Sequence, residues 1–341
     1  LGKVEGDVNA TVDAQIFALA FGLTENWTLF AGVPYIEAEV KTDISVSGEN
    51  NALAIRDQLG GLGFDELRDG LLQASEISAS QIKQSILDAG YEPFDHWSHK
   101  GVGDTRVGLM TAWKRRLGRL SGMALGLTTQ LEVPTGYVEH PDILTDVSFG
   151  KGYYSLSLQL DPRIRFARYF LIGGSTGYGK NFAATMQKRV PEGDERIVAA
   201  ERKSDVTITP GDDVAYAGYL GFDNWIIGTK YQVGVLRHFG DRYSGSLEGN
   251  YAKLSANSDK YQLYQEISVS LNTARLYSQQ RFPIPFILSG KVHQPIDAVN
   301  SADERYFEVS IASFFSTPMA RNMNQKQAKR KSKQRKTRLA H

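Results

Sequence analysis

The chain has 341 residues, no cysteine and a formal net charge of +1, a length that permits two soluble domains or one medium barrel. The lack of cysteine excludes disulfides, thiolate metal sites and cysteine nucleophiles together, and suits passage through an oxidising periplasm. No window approaches the ~18 to 20 consecutive apolar residues that a transmembrane helix needs, which excludes a helical membrane protein but not a barrel, whose strands turn only alternate residues to lipid.

No secretory leader is recognisable at Leu1, which points to a processed or truncated chain. Period-two alternation predicts eleven strands, at roughly 10–23, 27–41, 104–115, 119–133, 148–160, 164–177, 213–222, 225–237, 260–272, 284–294 and 305–315. Met123, Leu125, Leu127, Thr129, Leu131 and Val133, for example, alternate with Gly122, Ala124, Gly126, Thr128, Gln130 and Glu132. Lipid would lie on the first face and a lumen on the second. Arg168, between Phe166 and Phe170, is a misfit on the lipid phase of its run.

The connections alternate in kind. Those at 24–26, 116–118, 161–163 and 223–224 are hairpin-tight, and the others are long. Trp27, Trp113 and Trp225 mark the tight-turn rim, where aromatic residues anchor barrels at the bilayer interface, although Trp27 falls on the lumen phase. With tight turns on the periplasmic side, the first strand descends and the last ends at Phe315. Bacterial barrels need an even strand number, so a twelfth strand is expected at or before residues 1–9. A soluble β-sandwich also alternates, but its strands average ~5 to 6 residues and these are far longer.

The loop at 42–103 differs from the rest. Helical spacing over 51–59, 65–73 and 80–87 predicts an insert that either caps the barrel outside or plugs it.

Three short stretches carry a resemblance: Gly103-Asp104 ahead of the strand at 105–113, Leu131-Glu-Val-Pro-Thr-Gly136, and Pro210-Gly211-Asp212 leading into 214–222. They resemble the outer-membrane transporters associated with the meta-pathway of phenol degradation, relatives of the long-chain fatty-acid transporter barrels, over roughly 103–239. The resemblance implies a barrel of about a dozen strands that passes hydrophobic or aromatic small molecules across the bacterial outer membrane.

On the phase assigned to the lumen lie Glu37, Glu39, Arg106, Lys114, Gln130, Glu132, Tyr153, Gln159, Arg165, Lys230, Gln232, Glu266, Lys291 and Glu308. Buried charge needs water or a partner, so this set implies a wet channel or a cross-barrel lattice of ion pairs. Leu29, Ala31, Val33 and Met110 share that phase as a candidate apolar patch. Asp95, His96, Ser98 and His99 hold catalytic residue types, but neighbours in sequence rarely converge, and a metal at His96 and His99 lacks a third ligand. Gly174 to Lys180 imitates a phosphate loop until Asn181 replaces the required hydroxyl, so nucleotide binding is rejected.

Residues 316–341 hold nine lysines and arginines and no acid, which leaves the body near −8. Such a tail is expected to be disordered, and either it hangs in the periplasm and touches an anionic partner or it is an artefact foreign to the native barrel; nucleic acid is not expected. The expected whole is an all-β, transmembrane, antiparallel up-and-down barrel over residues 1–315, with the insert at 42–103 and the tail at 316–341. Its expected partners are membrane lipid, lipopolysaccharide, a small-molecule solute and the barrel assembly machinery. No catalytic residue, cofactor or metal is expected, and a closed structural or adhesive barrel that presents its loops is the alternative.

Overall fold

The computed structural model describes residues 3–47, 79–118, 121–301 and 305–313. Long antiparallel strands dominate them: β1 (Lys3–Gly22), β2 (Trp27–Ser47), β3 (His96–Val102), β4 (Thr105–Arg116), β5 (Gly122–Val133), β6 (Ser155–Phe166) and β7 (Phe170–Asn181). After these come β8 (Ala184–Arg189), β9 (Lys203–Thr209), β10 (Asp213–Asp223), β11 (Ile227–His238), β12 (Arg242–Gly245), β13 (Lys260–Asn272), β14 (Phe286–Val299) and β15 (Tyr306–Ser313). Eleven of them form one path, β1-β2-β4-β5-β6-β7-β10-β11-β13-β14-β15, and β3 pairs with the upper part of β2 to make a strongly curled twelve-stranded sheet. The twelfth strand is therefore β3, and residues 3–9 extend β1 rather than forming a strand of their own.

Alternation gives each long strand two unlike faces. The row Glu132, Ser155 and Asn181 and the row Tyr264 and Glu266 are buried on one face. The other face exposes Leu156, Leu158, Ile164, Ile172, Leu220, Ile227, Ile267, Val269, Val292, Phe307, Val309 and Ile311. A water-soluble sheet would cover such a band with a second layer. Here the polar side is inside.

Tight turns join the strands at one end. Thr24 Oγ1 accepts the N–H of Trp27 at 3.1 Å ahead of β2, and Asn224 Oδ1 accepts the N–H of Ile227 at 2.8 Å ahead of β11. Between β6 and β7 the turn lies at Ala167 and Arg168, both left-handed with φ of 45° and 72°, and not at 161–163. Pro162 sits inside β6, where it has no N–H to give β7, and the β6–β7 ladder skips Asp161 and Pro162. Arg168 thus occupies a rim turn, which removes it from the lipid face.

Long connections at the opposite end fold on themselves. A second sheet, ordered β12-β9-β8, encloses Val190 and Val206 as fully buried side chains, with Val198 and Ile208 beside them. Within 42–103 the helix Ala79–Asp88 matches the third helical expectation, and the other two lie outside the described residues, as does the tail at 316–341. The insert is narrower than expected, since its flanks belong to β2 and β3. No helix among the described residues is long and apolar enough to cross a membrane.

Candidate functional site

Gly103 and Asp104 interrupt the ladder on β2: Gly32 pairs with Arg106 while Tyr35 pairs with Val102, so one extra residue sits opposite β2. Such a bulge reverses which residues face inward. Below it Arg106, Gly108 and Met110 point in; above it Trp97, His99 and Gly101 do. Asp104 is buried at the bulge, where its carboxylate accepts the N–H groups of Gly136 at 3.0 Å and Lys151 at 2.7 Å. Gly136 and Gly150 stand where any side chain would strike backbone, which is why the glycine-rich motif around Gly136 is needed there.

Pinned in this way, the loop brings Lys151 over the inner face. Its ammonium lies 2.8 Å from Glu132, whose other oxygen takes Arg106 Nε at 2.9 Å. Asp213, 4.0 Å from the Lys151 ammonium, meets His238 Nδ1 at 2.7 Å, while His238 Nε2 meets Asp241 at 2.9 Å. Arg106, Glu132, Lys151, Asp213 and His238 border a cavity of about 700 Å³. Deeper in, a second cavity of about 460 Å³ is lined by inward residues of β6, β7, β10 and β11, among them Asp161, Arg163, Tyr219 and Lys230. Across from it Glu266 lies 3.6 Å from Lys230 and 3.8 Å from Lys291, which reaches Glu308 at 2.7 Å. His293 stacks between Tyr264 and Tyr306, with centroids 4.8 and 4.6 Å away.

The register puts Arg106, Lys114, Gln130, Glu132, Gln159, Arg165, Lys230, Gln232, Glu266, Lys291 and Glu308 on this inner face. Tyr153 belongs to the loop ahead of β6 and is half-buried. Glu37 and Glu39 are corrections. They lie on the outer face of β2, where they meet Lys100 at 2.8 Å and His96 at 3.0 Å. Leu29, Ala31 and Val33 share that outer face, so the inner apolar surface is the complementary set, Phe30, Ile36, Ala38 and Val40, with only Met110 kept from the expected patch.

Trp27 also faces outward on β2 and Trp113 outward on β4. Trp225 is in the turn before β11, left-handed at φ 78°, with the Arg165 guanidinium 4.4 Å from its ring. All three stand at the tight-turn end. His96 and His99 point to opposite faces, as do Ser98 and His99, so neither a shared metal nor a triad forms. His99 instead packs at a tilt against Tyr137, with ring centroids 4.4 Å apart, and Phe149, at 5.3 Å. Among the described residues no group of three or more metal-ligating acids and histidines is close enough to hold an ion.

Lys151, Asp213, Arg163 and Tyr219 were missed by sequence reasoning, Asp104 entered only through its motif with Gly103, and His238 was not assigned to the inner face. Asp213 and Tyr219 share the inward phase of a predicted strand, so alternation contained them; Arg163 was hidden by the turn assigned to 161–163. Outside the sheet, burial and the Asp146 carboxylate, 2.8 Å away, push the Tyr137 hydroxyl up to about 12. Burial acts to raise Asp142, but hydrogen bonds from Lys203 and Arg189 outweigh it and hold its carboxyl below the usual range.

No family model matches the chain. No curated protein matches it either. Among solved structures it is similar to the COG4313 outer membrane channel from Pseudomonas putida F1, at 12% identity and a TM-score of 0.51, over 90% of this chain and 85% of that one. At that identity the likeness is one of fold: a curled antiparallel sheet of the outer-membrane channel type.

Proposed function

We propose that the chain is a bacterial outer-membrane channel for the passive passage of small molecules with a hydrophobic or aromatic body. The observation that carries this reading is the opposite character of the two faces of the same long strands. Apolar side chains stay exposed outside, as lipid contact requires, and charged and hydrogen-bonding groups surround cavities inside, as water-filled passage requires. One inner wall is apolar as well: Val8, Val12 and Ile16 on β1 are exposed beside Phe30, Ile36 and Ala38 on β2. A solute with a ring and a polar group is served by both walls.

On this reading lipid and lipopolysaccharide contact the outer band, Trp27, Trp113 and Trp225 sit at the periplasmic interface, and the barrel assembly machinery inserts the chain. The inward residues named above line the path, which involves no chemistry. A closed scaffold that presents its loops is favoured by one observation, the bridging of Glu132 to both its strand neighbour Arg106 and the loop residue Lys151 at the long-loop end of the inner face. Planar-bilayer recording separates the two. Steady unitary currents from the folded protein support the channel; silence from protein that migrates as a folded barrel supports the scaffold.

A further inference from the structure

We infer that the cavity between β6, β7, β10 and β11 is a binding step for small carboxylates that carry an aromatic ring. The inference rests on the channel reading and adds to it the class of solute. Every lining residue comes from the inner face of four neighbouring strands: Gln159, Asp161 and Arg163, then Leu171 and Ser175, then Tyr219 and Gly221, then Lys230 and Gln232. Its volume of about 460 Å³ falls in the range of small-ligand sites.

Most charges around it are already engaged. Asp161 accepts Gln159 Nε2 at 3.0 Å, Lys230 donates to Gln232 Oε1 at 2.8 Å, and Glu266 lies between Lys230 and Lys291. Arg163 makes no hydrogen bond and no ion pair among the described residues, and it is exposed and lines the cavity. A guanidinium presents a planar fork that matches a carboxylate with two parallel hydrogen bonds. With Lys230 beside Glu266, Arg163 is the lining cation left without an ion-pair partner among the described residues, and one such cation suits a monoanion.

The ring of the solute has its own surface. Arg163, Gly173 and Tyr219 occupy one register row, the hydroxyl end of Tyr219 lies over Gly173, where a Cβ would stand 2.4 Å from the tyrosine oxygen, and the Lys230 ammonium lies 5.5 Å from the centroid of the Tyr219 ring. Glycine at this position leaves room for the Tyr219 ring in the same row as the guanidinium, and Leu171 lines the same space. A free cation, an aromatic face and an apolar side chain therefore converge on one space.

Block of the ionic current by benzoate, with neutral benzamide as its isostere, tests the site in the full-length channel. Benzoate is expected to block the wild type in a concentration-dependent way, Arg163→Gln to raise the half-blocking concentration about tenfold, and benzamide to be weak in both, since one charge-assisted hydrogen-bonded pair is worth about that factor. Equal block of wild type and Arg163→Gln, or benzamide as effective as benzoate, overturns the inference while leaving the channel standing. If no current is seen, the channel reading fails by itself. Calorimetric titration of benzoate into the folded protein in detergent then decides the site: binding lost in Arg163→Gln supports it, and binding absent or unchanged overturns it.

Discussion

Arg189 and Asp142, forty-seven positions apart, lock the folded loops together: Nε and Nη2 of the guanidinium both reach Asp142 Oδ1, at 3.0 and 2.7 Å. The same guanidinium donates to the carbonyls of Ala89, Gly90 and Val198 and lies 3.7 Å above the Tyr91 ring. Three connections are thereby joined at one buried cation. Removing one partner of such a pair costs roughly 3–5 kcal/mol. Arg189→Ala is expected to raise hydrogen exchange across 184–209 and to leave heat-modifiable migration of the barrel intact; unchanged exchange would contradict the role given to Arg189.

Asp142 makes this assembly sensitive to acid. Its folded carboxyl is held below the ordinary aspartate value, so its contribution is present above the unfolded pKa and is lost as pH falls through the folded one. The protection of amides in 184–209, taken against their intrinsic exchange rate at each pH, is expected to be flat from neutral pH down to about 5 and to fall below about 4, the region where aspartate titrates. Asp142→Asn should remove that acid step. A step at neutral pH in the wild type would point to a different group.

Glu37 and Glu39 test which face of β2 is which. Glu37 is exposed and Glu39 half-buried on the outer face, whereas Glu132 bridges Arg106 and Lys151 inside. Glu37→Gln with Glu39→Gln is expected to leave conductance and ion selectivity unchanged, and Glu132→Gln to shift the reversal potential in a salt gradient toward anion preference. The opposite pattern would restore the inward placement of Glu37 and Glu39.

Gly173 tests the aromatic wall. A Cβ there meets Tyr219 and the Pro162 carbonyl oxygen, 2.8 Å away, whereas a Cβ at Gly218 on the outer face meets nothing within 4 Å. Overpacking of this kind costs about 1–3 kcal/mol. Gly173→Val is expected to lower unitary conductance by pushing the Tyr219 ring into the passage, and Gly218→Val to leave it unchanged. Equal conductance in the two variants would separate Tyr219 from the path.

How much of this was legible varies with the local physics. From β10 to β15 the outer face is apolar and the inner face polar, so period two gave both strands and sides, as at Tyr231 and Gln232. On β2 both faces are mixed. Ala38 and Val40 are apolar because they pack beneath loops, and Glu37 and Glu39 are polar because they rise on the outer side, so hydropathy alone inverted the phase. The bulge at Gly103 and Asp104 reverses the inward phase between β3 and β4 without a change in composition. Pro162 imitated a turn. The network around Asp104, Lys151 and Asp213 depends on loops brought together from distant positions, which no local pattern records.

The most direct test of a lipid-facing band around a wet interior is a spin-label scan of β11 in the cysteine-free chain, where each introduced cysteine is unique. In proteoliposomes, labels at Tyr231, Val233 and Val235 should collide with oxygen dissolved in the bilayer, and labels at Lys230, Gln232 and Gly234 with a water-soluble nickel chelate. Water access on both sets, or no alternation between them, would contradict the account.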